Sequence, residues 1–391
     1  MKNSLLTRVY IISLTIFAML FGSGNLMFPL RVGIESGTKT AWGIAGFIVT
    51  GVLLPLMGLL TIIAFKGDYR AFFGRLGKIP SFFLILFSML IIGPFVVMPR
   101  IVTLSYEMLQ PFLPPMHVAF FSALFLGLVF LVTYRPTKLL DIIGKFLSPL
   151  KVVSIIIIIL CGLFTGKQAE IVTLSAWQLF KKGAHYGYFT LDLLGAIFFG
   201  SIIVTLLTRY AESEERTSMG QAVKIAGISG IVASCLLGAI YIGMSCLGAW
   251  FGQGLGQLNE GQIFSAVSFR VLGNYGAALI GFTVFLACFV TTVSLAVVVA
   301  EYVRTEIGRG KLSFASALLL VLITCGIFAQ FGLSSILHYS IPFIVASYPV
   351  FIVITACNAA YALWGFKYIK IPTTIIAVIM LAKFCLSFFA Q

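Results

Sequence analysis

Charge is what this chain has least of. Only 10% of its 391 residues are charged, with 12 acidic side chains and three histidines, where a soluble domain carries about 25% charged residues. That scarcity excludes a water-soluble globule. The apolar runs are about 20 residues long and lack the period-two alternation of barrel strands, so the fold class is all-α and polytopic in a membrane. The histidines at 117, 185 and 338 are too few for a His-based metal site. Seven cysteines, at 161, 235, 246, 288, 325, 357 and 385, are scattered through apolar segments with no metal-ligand or disulfide spacing. They read as small buried hydrophobes. No G-x-x-x-x-G-K-[ST], H-E-x-x-H or G-x-S-x-G is present, so catalysis of the soluble type finds no support and no enzyme is expected. No loop is long enough for a soluble domain.

What is present is hydrophobic: 60% of residues, with mean hydropathy +1.10. Apolar windows predict about eleven spans, near 9–31, 41–65, 81–109, 117–134, 146–165, 188–209, 222–250, 276–303, 312–330, 338–365 and 371–390. The net charge of +14 does not indicate nucleic acid, because the cations sit in short loops. With a cytoplasmic N-terminus, eighteen of them fall inside, among them Arg8, Arg70, Lys138, Lys151 and Arg304. Six fall outside: Arg31, Lys39, Lys167, Lys181, Lys182 and Arg270. That asymmetry obeys the positive-inside rule. Lys383 falls within the last span, where its side chain would snorkel. Lys2 and Arg8 precede an apolar run without an A-x-A-like cleavage site, so this is a retained first span.

Span 1 contains Phe-Gly-Ser-Gly-Asn-Leu-Met-Phe-Pro at 21–29. Two glycines, a serine and an asparagine would unwind a helix at mid-membrane depth. Lipid cannot satisfy the freed backbone groups, so such a break must line a cavity or bind something. Span 6 opens on Gly-Tyr-Phe-Thr-Leu-Asp-Leu-Leu-Gly at 187–195 and is likewise interrupted. Five spans separate the two, so they enter the membrane from opposite sides. That predicts a five-plus-five inverted-repeat transporter, one integral domain with repeats near 9–165 and 188–365 and an extra helix near 371–390. The alternative is close packing through glycine, of which the chain has 38.

The amides at Gly22, Ser23, Gly24 and Asn25 would begin the outer half-helix, whose positive pole suits a carboxylate. Carbonyls of residues 18–21 would end the inner half and suit a hard cation such as Na⁺. In span 8, Thr291 and Thr292 lie three and four residues past Cys288, on one helix face. Their hydroxyls and the Cys288 carbonyl could complete an oxygen cage, or each threonine could bond its own preceding turn. Phe189, Thr190 and Asp192 are the substrate-side candidates of span 6, and Asp192 could bind a cation, carry a proton or simply face the outer mouth. Arg100 and Glu107 share a face of span 3 and could gate a path or form a structural ion pair.

The chain resembles the branched-chain amino acid:cation symporter family. The resemblance rests on residues 21–29, on Gly-Pro-Phe-Val-Val-Met-Pro-Arg at 93–100 with Thr-Leu-Ser-Tyr-Glu at 103–107, on Lys-Leu-Leu-Asp-Ile-Ile-Gly-Lys at 138–145 with Pro-Leu-Lys at 149–151, on 187–196, on Cys-Phe-Val-Thr at 288–291, and on 342–349. It implies sodium-coupled import of leucine, isoleucine and valine across a bacterial plasma membrane. It implies no cofactor beyond a coupling ion (Na⁺, with Li⁺ or H⁺ as the other candidates) and no obligatory protein partner. Carried over from the broader fold of sodium-coupled leucine transporters, the Na⁺ ligands would be Ala18, Phe21, Cys288, Thr291 and Thr292, with Thr190 at a second sodium site. Asp192 stands where that fold usually has a neutral residue. Proton coupling through Asp192, or a non-transporting receptor or scaffold, are the rival functions.

Overall fold

The computed structural model describes residues 5–134, 143–166, 168–213, 219–258, 260–273 and 276–389. Lys2, Arg135, Lys138, Lys167 and Arg216 lie outside the described residues, as does most of the 138–145 segment.

Each of the eleven expected spans has a helical counterpart, and the chain is an all-α membrane protein with spans 1 and 6 broken. Span 1 is two helices, α1 (Leu5–Leu20) and α2 (Ser23–Ser36). Span 2 is α3 (Thr40–Ile48) and α4 (Leu54–Ala64), joined through a π turn at Val49–Leu53. A short helix, α5 (Tyr69–Gly74), follows and is capped by Asp68, which accepts from the amides of Arg70 at 2.8 Å and Ala71 at 3.0 Å. Span 3 divides into α6 (Lys78–Leu90) and α7 (Val97–Leu109). That division departs from the single span expected at 81–109. Pro94 has no amide hydrogen to continue the helix, and Gly93 adopts non-helical φ −92°, ψ −133°.

Next come α8 (Val118–Thr133) and α9 (Ser148–Phe164). Span 6 is longer than the predicted 188–209. It consists of α10 (Ala176–Tyr188) and α11 (Asp192–Ser213), bent by 42° at the break. Leu191, in the break, has φ +61°, a region non-glycine residues rarely occupy. Beyond it lie α12 (Met219–Phe251), an unforeseen α13 (Glu260–Leu272), α14 (Ala277–Tyr302), α15 (Phe314–Ala329), α16 (Gly332–Trp364) and α17 (Lys370–Phe389).

α14 is the central post: 89% of its most apolar stretch is buried, as expected for a helix hydrophobic on all sides. Phe82, Phe83, Leu131 and Ile157 point outward, which suits lipid. The first half of span 6, α10, is set in place by close backbone approach to α3. A Cβ on Gly183 would lie 1.8 Å from the Gly43 carbonyl oxygen, and one on Gly46 2.0 Å from that of Phe180. Only glycine permits that distance, the small-residue packing that brings membrane helices together.

Glu35, near the end of α2, links α2 of the first broken span to α10 of the second. Its carboxylate accepts from Arg31 at 3.1 Å, Lys182 at 3.0 Å and the Tyr186 hydroxyl at 2.5 Å.

Candidate functional site

Span 1 breaks because Asn25 diverts a backbone donor. A continuous helix would send the Gly22 amide to the Ala18 carbonyl. Instead Gly22 N–H donates to Asn25 Oδ1 at 3.1 Å, which caps α2 and leaves α1 with open carbonyls. Ala18 and Phe21 thus present oxygens to the protein's centre, at the negative pole of α1. The amides of Ser23, Gly24 and Asn25 begin α2 at its positive pole. The side chain of Ser23 lies outside the described atoms.

The two breaks meet through side chains. Asn25 Nδ2 donates to Asp192 Oδ2 at 2.6 Å and also to the Tyr241 hydroxyl. Asp192 opens α11, where the helix dipole favours a carboxylate. It is 7% exposed, so it is buried rather than facing an outer mouth. Tyr241, on α12, is held by Phe21 at 5.9 Å and by the edge of Phe47 at 5.1 Å. Thr190 bonds back to the Gly187 carbonyl at 2.8 Å and receives the Asp192 amide at 3.5 Å. Phe189 turns its ring to His185, 4.6 Å away, and gives its carbonyl to Arg100 at 3.1 Å.

A central cavity of about 40 Å³ is bordered by Gly22, Gly24, Asn25, Arg100, Thr190, Asp192 and Thr291 on its polar side. Met19, Ile92, Val97, Ile101, Phe199 and Leu295 form its apolar side. Arg100 lines this space and lies beside the Phe28 ring at 5.3 Å. Glu107, two turns further along α7, does not border it. A cavity of that volume is too tight for an amino acid, so it must widen to admit one.

Of the five residues expected to hold Na⁺, Ala18, Phe21 and Thr291 come together, with an addition. Thr291 Oγ1 donates to the Phe21 carbonyl at 3.3 Å and lies 3.5 Å from that of Ala18. Thr292 instead bonds the Cys288 carbonyl of its own helix at 2.9 Å, the local habit of membrane threonines. Lys151, on α9, sends its amino group to the Ala18 carbonyl at 3.1 Å and to the Phe21 carbonyl. Its side chain is wholly buried. Lys151 therefore does not belong with the cytoplasmic loop cations. The π turn at Ile143–Leu147 extends span 5 before α9 and carries the residue inward.

Sequence reasoning missed Lys151, Tyr241 and the apolar wall. The signal for Lys151 was its position three residues into an apolar run opened by Ser-Pro-Leu. Tyr241 had none beyond being the one tyrosine in an apolar helix.

A profile of the branched-chain amino acid transport protein family matches residues 6–389. The branched-chain amino acid permease BraB of Bacillus subtilis (strain 168) is 32% identical over 367 residues, covering 90% of this chain and 80% of that protein. The permease BrnQ of the same organism is 31% identical over 356 residues, covering 88% and 78%. Among solved structures, a Na⁺-coupled sialic acid symporter in a substrate-bound outward-open state superposes with TM-score 0.59 at 15% identity, over 95% of this chain and 88% of that one. A manganese transporter of Eremococcus coleocola gives TM-score 0.55 at 14% identity, over 98% and 86%. At these identities the structures speak to the fold alone.

Proposed function

This chain belongs to the branched-chain amino acid transport protein family, a family of transporters rather than enzymes, and from that premise we propose that it is a secondary active symporter. It imports leucine, isoleucine and valine across a bacterial plasma membrane with its N-terminus cytoplasmic. Inward movement of a cation, sodium by the family resemblance, drives it. The observation that carries this reading is the single cavity shared by two helix breaks joined through Asn25 and Asp192.

The chemistry of the cavity matches a zwitterion with an aliphatic side chain. The first amides of α2 and the Arg100 guanidinium face the substrate's carboxylate. The Asp192 carboxylate takes its ammonium group, at the cost of the bond to Asn25. Ile92, Ile101, Phe199 and Leu295 receive the side chain. Leucine and valine differ by one methylene, worth only about 1–3 kcal/mol in an apolar pocket, so all three aliphatic substrates should be carried. Entry requires the cavity to widen, and Glu35 couples α2 to α10 through Lys182 and Tyr186.

A second reading, proton-coupled uptake through Asp192, is favoured by the burial of that carboxylate between the two breaks. Uptake of labelled leucine into proteoliposomes separates the two. Accumulation under an inward sodium gradient without a pH gradient supports sodium. Accumulation under an inward proton gradient in choline buffer supports Asp192. Failure of both contradicts secondary active import.

A further inference from the structure

The Ala18 and Phe21 carbonyls both open at the end of α1, and both accept from the amino group of a lysine on α9. Lys151 donates to both, at 3.1 Å to Ala18 and in direct contact with Phe21. The side chain is 0% exposed. Thr291, from α14, puts its hydroxyl 3.3 Å from the Phe21 carbonyl oxygen. The Phe17 and Phe21 rings flank the amino group at 6.0 Å and 5.2 Å.

A buried ammonium is costly unless paired and hydrogen-bonded. Here it finds two carbonyl oxygens, the negative pole of a helix and the electron-rich faces of two aromatic rings. These are the partners that would draw a hard cation. A sodium ion would need the same two carbonyls, and the lysine nitrogen already occupies the position where both oxygens are within reach. The oxygen set expected for Na⁺ therefore does not fit Na⁺ while Lys151 stands in it.

We propose that Lys151 is a tethered cation at the break of span 1, so the Ala18–Phe21–Thr291 locus is not a sodium-binding site in this transporter. The proposal rests on the transporter reading above and deepens it. Whatever ion drives uptake binds elsewhere, and Lys151 ties α9 to the end of α1 at the same Phe21 carbonyl that Thr291 of α14 reaches. Its tether means that this charge neither leaves with the substrate nor depends on the external medium.

Exchange of labelled leucine across proteoliposomes, titrated with sodium against choline, tests it. Thr291→Val removes a hydroxyl that a bound Na⁺ would need. In the unaltered background the proposal expects the half-saturating sodium concentration to stay the same, or sodium to have no effect on either protein. A rise of about tenfold, the loss of one good ligand, would overturn it. Lys151→Ala vacates the locus. The folded variant should acquire sodium-dependent protection against heat, and Lys151→Ala with Thr291→Val should lose it. A folded Lys151→Ala protein with no new response to sodium also overturns the proposal. Should Lys151→Ala fail to fold, the Thr291→Val titration decides alone. Absence of leucine exchange by the unaltered protein in every buffer would instead defeat the transporter reading.

Discussion

The side-chain amide of Asn25 stands 2.6 Å from the carboxylate of Asp192, and this bond joins the two broken helices of the protein. One partner lies on α2, the other at the first turn of α11. Neither helix could supply the arrangement alone: the Gly22–Asn25 cap frees the backbone of one break, and the dipole of α11 stabilises the charge at the other.

Replacing Asp192 with Asn keeps the shape and removes the charge. Hydrogen bonds to charged groups contribute about 1.5–3 kcal/mol. If Asp192 receives the substrate's ammonium, the KM for leucine should rise about 10- to 100-fold, measured by uptake at varied leucine. An unchanged KM would remove Asp192 from the substrate site.

The apolar wall sets the substrate range. Ile101→Ala enlarges the cavity by several carbons where the leucine side chain is placed. It should weaken leucine by at least about tenfold and narrow its advantage over methionine and phenylalanine, since each methylene contributes about 1–3 kcal/mol. Competition against labelled leucine provides the measurement.

Close approach at Gly183 leaves no room for a side chain. A Cβ there would sit 1.8 Å from a backbone oxygen, and backbone cannot yield as a flexible side chain can. Gly183→Val should separate α10 from α3, at a cost of at least about 1–3 kcal/mol. The expected result is loss of monodisperse protein on size exclusion after detergent extraction.

Two arginines near α5 should differ. Arg70 pairs with Glu306 in a contact 62% exposed on the arginine side, and such pairs are worth about 0–1 kcal/mol. Arg75 donates to Asn358 Oδ1 at 2.8 Å and to the Phe366 carbonyl at 2.7 Å, and lies 3.9 Å over the Tyr361 ring. Arg75→Ala should lower the thermal midpoint distinctly more than Arg70→Ala.

Legibility in the sequence followed how far a residue departs from its surroundings. Gly-Ser-Gly-Asn inside an apolar run announced the break of span 1, and residues 18–21 were placed at the end of its inner half. The first half of span 6 was hidden because α10 carries Lys181, Lys182 and His185, which weaken its apolar signal although one face is buried. Its break was located only as a glycine-bearing start of a span. The division of span 3 lay in plain view at Gly93-Pro94, yet a proline in a membrane helix can equally mark a gentle kink. Lys151 was misplaced because a lone lysine at the edge of an apolar run looks like a loop cation. Only the three-dimensional course of α9 shows that it reaches the open carbonyls of α1. The partners of Asn25, namely Asp192 and Tyr241, lie 167 and 216 residues away, beyond the reach of any spacing rule.

The account depends most on a branched-chain amino acid entering the cavity between the two breaks, and counterflow of labelled leucine in proteoliposomes tests that directly. Vesicles preloaded with unlabelled leucine, isoleucine or valine should transiently accumulate the label, vesicles preloaded with lysine or glutamate should not, and Asp192→Asn should abolish the effect at low leucine. Label uptake no greater than in protein-free vesicles, with every preload, would contradict the account.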